Sequence, residues 1–327
     1  MSSVKPAVDL LPQPWTGRFD GDGPEHRRWW QAVAPYAYAA ADAAGTWAPP
    51  KPREPSRPAA LLGFASDEGV RRNKGRTGAS AAPAAIRKAL APLAFHLDRI
   101  VLDAGDVAVS GGRLEDAQAR LGNVVTELLD AGYLAAVLGG GHETAYASYL
   151  GVSACRAVQE GSRLGVLNLD AHFDLRDEPV PTSGTPFLQM ARAEAAAGRD
   201  FRYAVVGISE TGNTRALFET ARRLGVPYLL DEDCGAERVR AFVASFLADI
   251  DVLYLTIDLD VLPAATAPGV SAPAGFGVPL PVISAVCRQV VSSGKLIHLD
   301  IAELNPALDI DGRTARVAAR LLDTLLR

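Results

Sequence analysis

The chain has 327 residues, 48% hydrophobic and 22% charged, with 38 acidic against 33 basic side chains and a net charge of −5. These are the proportions of a globular chain with a sizeable core, which excludes a disordered or fibrous protein. No cluster of lysines and arginines offers the footprint a phosphate backbone requires, and no apolar run reaches the roughly 20 residues that span a bilayer, so neither nucleic acid nor a membrane is an expected partner.

Residues 1–14 lack the apolar centre of a secretory signal, which makes the cytoplasm the expected compartment. Residues 1–58 hold all four tryptophans, Trp15, Trp29, Trp30 and Trp47, and end in a proline-rich run from Pro49 to Pro58. That composition predicts an arm that docks on the main domain or on a neighbouring subunit. From residue 59 to 327, short apolar runs alternate with amphipathic stretches. The runs predict strands over 60–64, 99–102, 134–138, 163–169, 202–206, 227–230, 252–257 and 296–299. The stretches predict helices over 83–90, 114–131, 213–224, 237–248, 281–292 and 314–326. The expected fold is one three-layer α/β domain with a mainly parallel sheet of about eight strands. Cys155, Cys234 and Cys287 are scattered, without CxxC spacing, and predict reduced thiols rather than a disulfide or a zinc site.

Polar residues gather where three of these strands end: Gly139-Gly140-Gly141-His142-Glu143, Asp170-Ala171-His172-Phe173-Asp174 and Asp258-Leu259-Asp260. In an extended segment the two-residue spacing puts Asp170, His172 and Asp174 on one side, and Asp258 and Asp260 likewise. With His142 they make a mixed oxygen and nitrogen donor set, too rich in carboxylate for structural zinc and suited to manganese. Four aspartates packed together without cations would repel one another and be costly to desolvate, so the sequence predicts a binuclear site. Two metals can activate a water, which makes the chemistry hydrolysis without a covalent nucleophile. Glu303, in Asp300-Ile301-Ala302-Glu303-Leu304-Asn305-Pro306, follows another strand and is placed to hold a cationic amidine. Arg71-Arg72-Asn73-Lys74-Gly75-Arg76-Thr77-Gly78 follows the first strand and offers donors to anions. His26, His96 and His298 lie outside these clusters. A different class of function, dinucleotide binding, is prompted by Gly139-Gly140-Gly141, but the run lacks G-x-G-x-x-G spacing and clustered aspartates would repel a pyrophosphate.

Over residues 61–326 the sequence resembles the ureohydrolase superfamily of arginases, agmatinases and formimidoylglutamases. The resemblance implies the arginase fold, two manganese ions held by His142, Asp170, His172, Asp174, Asp258 and Asp260, an amidine-binding role for Glu303, and a homo-oligomer. Pro268-Gly269-Val270-Ser271-Ala272-Pro273 is a further match. Within the superfamily, Gly140-Gly141-His142-Glu143 and the loop from Arg71 to Ala79 are similar to the formimidoylglutamases. Arginases carry a histidine shortly after the Asp174 region, and ungapped spacing puts Phe187 there, in Thr182-Ser183-Gly184-Thr185-Pro186-Phe187. The resemblance therefore implies hydrolysis of N-formimidoyl-L-glutamate to L-glutamate and formamide, a step of histidine breakdown, by attack of a metal-bridging hydroxide that Asp174 steadies. Another guanidine or amidine hydrolase on the same metals is the alternative. A substrate with two carboxylates and a cationic amidine needs additional donors, and Arg176, Asn73, Arg76 and Ser183 are the candidates. A salt bridge to a neighbouring aspartate is the competing role for Arg176.

Overall fold

The computed structural model describes residues 8–36 and 57–327. Their strands are β1 (Ala34–Pro35), β2 (Ala59–Ala65), β3 (Val101–Ala108), β4 (Leu134–Leu138), β5 (Leu164–Leu169), β6 (Arg202–Ile208), β7 (Tyr228–Leu230), β8 (Val252–Asp258) and β9 (Leu296–Ala302). They form one sheet in the order β1-β3-β2-β4-β9-β8-β5-β6-β7, and every pairing is parallel. The eight strands read from the sequence are all present, and β1, two residues of the N-terminal arm, is added at the edge. β3 runs well past residue 102. Its continuation, Asp103-Ala104-Gly105-Asp106, carries two acids, and Arg87 neutralises both, at 2.9 Å from Asp103 and 2.6 Å from Asp106.

Alternate strand residues face opposite ways into two cores. Leu61, Leu138, Leu169, Leu255 and Ile301 pack beneath the helices Ala82–Leu90, Ala236–Ala248, Leu280–Ser292 and Arg313–Leu325. Leu62, Val137, Val166 and Tyr254 pack beneath Leu114–Asp130, Thr144–Ala154, Pro186–Ala196 and Arg215–Arg223. Covered on both faces, the central strands are mostly apolar, which is why they are legible as runs. The helices Thr144–Ala154 and Pro186–Ala196 go beyond the six expected. Thr144–Ala154 is buried on most sides and shows no polar face, so periodicity does not mark it as a helix.

The described part of the arm lies against the domain. The Trp29 indole is fully buried and donates to Asp323 Oδ1 at 3.1 Å, and Trp15 donates to Asp103 Oδ2 at 2.8 Å. Trp47 and residues 49–56 of the proline-rich run lie outside the described residues. No helix among the described residues is long and apolar enough to cross a membrane.

Candidate active site

The strands β4, β9, β8 and β5 are consecutive in the sheet, and their carboxyl ends bring His142, Glu303, the Asp258–Asp260 pair and the Asp170–Asp174 segment together. Loops after adjacent parallel strands open on the same edge, so residues far apart in sequence meet over one crevice. The glycine run before His142 is a packing device. Gly139 donates to Ile301 O at 2.8 Å, Gly141 donates to Ser66 O at 3.0 Å, and Gly140 O accepts from Glu303 N at 2.8 Å. A Cβ on Gly140 would overlap the Ser66 main chain. These groups are engaged with the chain itself, which leaves no phosphate cradle of the kind a dinucleotide needs.

The aspartates and histidines converge, though not by simple strand alternation. Asp260 sits in a short 3-10 helix, Leu259–Val261, which Asp258 caps by accepting from Asp260 N. Residues 170–174 lie beyond β5 in a bend that Asn213 pins, accepting from Phe173 N at 3.1 Å and donating to Ala171 O at 2.9 Å. The residues picked out by two-residue spacing thus do converge, but through folded loops rather than strand alternation. Asp174 and Glu303 both have left-handed backbones, φ 47° and 69°, a conformation non-glycine residues adopt at a cost and which often marks functional sites.

His142 Nδ1 faces Asp170 Oδ2 at 3.1 Å, Asp174 Oδ2 at 2.9 Å and Asp258 Oδ2 at 3.3 Å. His172 Nδ1 faces Asp260 Oδ2 at 3.0 Å and Asp170 Oδ1 at 3.6 Å. Asp170 therefore lies between the imidazoles, one oxygen toward each. Asp258 and Asp260 each give one oxygen to a main-chain N–H, of Asp260 at 2.8 Å and Ala171 at 3.2 Å, and turn the other inward. Burial alone would depress both imidazoles, but the surrounding aspartates hold them well above their ordinary range. Burial, with Asp260 and Asp170 close by, pushes the Asp258 carboxyl far up, and burial beside Glu143 pushes Glu303 up to about 8. A cluster that must draw in protons to relieve its negative charge is one that divalent cations fit. Two groups have ligand atoms all within 4.8 Å of one another, His142, Asp170 and Asp258, and Asp170, His172 and Asp260.

Above the cluster opens a cleft of about 310 Å³. Its lining includes His142, His172, Asp174, Asp258, Asp260 and Glu303, and all four residues expected to bind substrate, Asn73, Arg76, Arg176 and Ser183, while Asp170 lies wholly buried behind it. Asn73 Nδ2 donates to Ser183 Oγ at 3.2 Å. Arg76 spends its guanidinium on Ser271 O and Val270 O, both at 2.9 Å, and so ties its loop to the loop after β8. Among the described residues Arg176 has no ion-pair partner, which removes the competing salt-bridge role, and it stands exposed at the cleft. Lys74, also exposed and lining the cleft, was not among the expected binders. Its left-handed backbone, φ 62°, gives no sign in the sequence. Phe187 lies out of the cleft, stacked on Tyr203 at 4.3 Å with its edge contact to His142 at 5.4 Å.

A parallel three-layer sheet with an acidic, histidine-bearing centre at its carboxyl edge defines the class. The chain belongs to the arginase family, whose model matches residues 57–327. A formimidoylglutamase of Nocardia farcinica is 57% identical over 318 residues, covering 97% of each chain. The crystal structure of a Bacillus subtilis formimidoylglutamase superposes with a TM-score of 0.76 over 90% of both chains at 21% identity, a likeness of fold. Trypanosoma cruzi formiminoglutamase, solved with Mn2+, superposes with a TM-score of 0.73 at 26% identity, over 82% of this chain and 91% of that one.

Proposed function

We propose that the protein hydrolyses N-formimidoyl-L-glutamate to L-glutamate and formamide, a step of histidine breakdown. The observation that carries this reading is the charge layout of the cleft, carboxylates on the buried floor and, on the exposed side, the cations Arg176 and Lys74, which have no ion-pair partner among the described residues. A substrate with an amidinium at one end and two carboxylates at the other matches that layout, whereas arginine, with one carboxylate and an ammonium, does not. The name of the 57% identical Nocardia relative supports the same assignment.

His142, Asp170, His172, Asp174, Asp258 and Asp260 would hold two divalent cations, and the manganese in the Trypanosoma structure supports that metal. Bound there, the cations would supply Lewis acidity and a water of lowered pKa. Glu303 holds the amidinium, with its Oε1 fixed by His142 N at 2.8 Å. Arg176, with Asn73 and Ser183 beside it, takes a substrate carboxylate, and Arg76 keeps the wall in place. Water adds to the formimidoyl carbon, the bond from that carbon to the glutamate nitrogen breaks, and the nitrogen leaves with a proton. Asp174, at the cleft surface of the cluster, is placed to carry that proton on its carboxylate.

The test is product analysis after incubating manganese-loaded protein with N-formimidoyl-L-glutamate, arginine, agmatine and guanidino acids, with Asp170→Ala as control. Formamide and glutamate from the first substrate alone are expected. Urea from a guanidine substrate would overturn the assignment.

A further inference from the structure

Thr256 and Asp300 lie beneath the cluster, completely buried, and no step above uses them. They sit side by side on neighbouring strands, since β8 and β9 pair Thr256 with Asp300 in register. Two residues earlier on the same face the register pairs Tyr254 with His298. Thr256 Oγ1 stands 3.0 Å from Nε2 of His142, while Nδ1 of that ring faces Asp170, Asp174 and Asp258.

A ring nitrogen can offer its lone pair to a cation only when it carries no proton, so a metal-holding Nδ1 requires the proton on Nε2. Among the described residues that proton has one acceptor at hydrogen-bond distance, Thr256 Oγ1. A hydroxyl that accepts from His142 keeps its own hydrogen to give. On Asp300, Oδ2 takes the Tyr254 O–H at 2.5 Å, while Oδ1 is buried with no partner at hydrogen-bond distance among the described residues, and the hydroxyls of Thr256 and Ser148 both offset the upward push of burial on this carboxyl. A buried carboxylate oxygen is costly unless a donor turns to it, and the hydroxyl of Thr256, the residue paired with Asp300 across the two strands, is free to turn that way, with Ser148 as the second hydroxyl acting on the same carboxyl.

We infer that Thr256 and Asp300 are positioning residues for His142, a chain from imidazole to hydroxyl to buried carboxylate that fixes the ring with Nδ1 free for a divalent cation. This rests on the reading of the cluster as a metal centre. The chain explains why an acid stands buried inside a mainly apolar strand, and why its neighbour is a threonine rather than the isosteric valine. Partners of this kind commonly change metal affinity by about ten- to a hundredfold.

The experiment titrates the full-length, metal-free protein with Mn2+ and follows the free ion by its electron paramagnetic resonance signal. For Thr256→Val one of the two ions is expected to bind ten- to a hundredfold more weakly, with the other held as in the unaltered protein. Thr256→Ser, which keeps the hydroxyl, is expected to restore the affinity. Asp300→Asn should weaken the same ion, and Thr256→Val combined with Asp300→Asn should be little worse than Thr256→Val alone, because the two act in one chain. Thermal melting without metal checks that each variant folds, and if Asp300→Asn does not, the Thr256 pair decides. Unchanged affinity in Thr256→Val, or no rescue by Thr256→Ser, would overturn the inference and leave the metal centre standing. If the unaltered protein takes up no Mn2+, the metal centre itself is refuted and the inference falls with it.

Discussion

The main-chain N–H of His142 donates to Oε1 of Glu303 at 2.8 Å and so ties the end of β4 to the end of β9 across the floor of the cleft. The bond needs an acceptor oxygen at Glu303, not a charge. Glu303→Gln therefore keeps the loop and removes only the negative charge offered to an amidinium. Losing one member of a buried charge pair costs about 2–5 kcal/mol. The expected result is a fall of about 30-fold or more in kcat/KM, with Mn2+ uptake and melting temperature close to those of the unaltered protein. Full activity in Glu303→Gln would remove the amidine role.

Arg176 is the cleft's test of substrate class. It has no ion-pair partner among the described residues, so its replacement breaks no internal contact of that kind. A hydrogen bond to a charged group is worth about 1.5–3 kcal/mol. Arg176→Ala should lower kcat/KM for N-formimidoyl-L-glutamate by roughly 10- to 150-fold, and Arg176→Glu by more. N-butylformamidine, an amidine with no carboxylate, serves as the comparison. An equal loss on both substrates, or none on the first, would dissociate Arg176 from carboxylate recognition.

The sequence showed most clearly what burial makes uniform. β4, β5, β8 and β9 are covered on both faces, so their apolar runs stand out, and the polar residues that follow them mark the site. Residues whose role depends on three-dimensional partners left no such mark. Thr256 reads as an ordinary strand former and Asp300 as an interruption, and only the register between β8 and β9 joins them to His142. Asn213 lies some forty residues after the bend it pins. Arg76 stands in a basic loop that suggests anions, yet two main-chain carbonyls take its guanidinium.

Metal removal should be visible in stability as well as in turnover. Cations that bind only the folded cluster stabilise it by about 4 kcal/mol at a thousandfold excess over the dissociation constant. For a chain of this size that is on the order of 5–10 °C in melting temperature. Chelation should abolish activity and lower the melting temperature by that amount, and Mn2+ should restore both. Burial already holds the Asp258 carboxyl far above its ordinary range, so without metal Asp258→Asn should melt close to the unaltered protein, yet gain less from Mn2+ because one of the two ligand groups has lost a member. Scanning calorimetry of the two proteins, with and without the ion, reads both differences. A Mn2+ shift of undiminished size in Asp258→Asn would show that the ion acts elsewhere.

His298 makes a separate prediction about acid. The ring is wholly buried on β9 beside Tyr254, with centroids 5.0 Å apart, and burial holds its pKa down to about 3. In the unfolded chain the same imidazole titrates near 6.5, so between about pH 6.5 and pH 3 the unfolded state binds a proton that the folded state refuses. The stabilising contribution is complete above pH 6.5 and is lost as the pH falls through that window, by at most about 1.4 kcal/mol per pH unit. His298→Phe keeps a ring of similar size and removes the proton site. Urea unfolding from pH 7 to pH 4, with chelator present so that metal loss does not contribute, should give a shallower decline for His298→Phe than for the unaltered protein. The difference between the two curves isolates this group, because every other carboxylate and imidazole is common to both. Parallel curves across that range would mean that His298 takes up its proton without opening the fold.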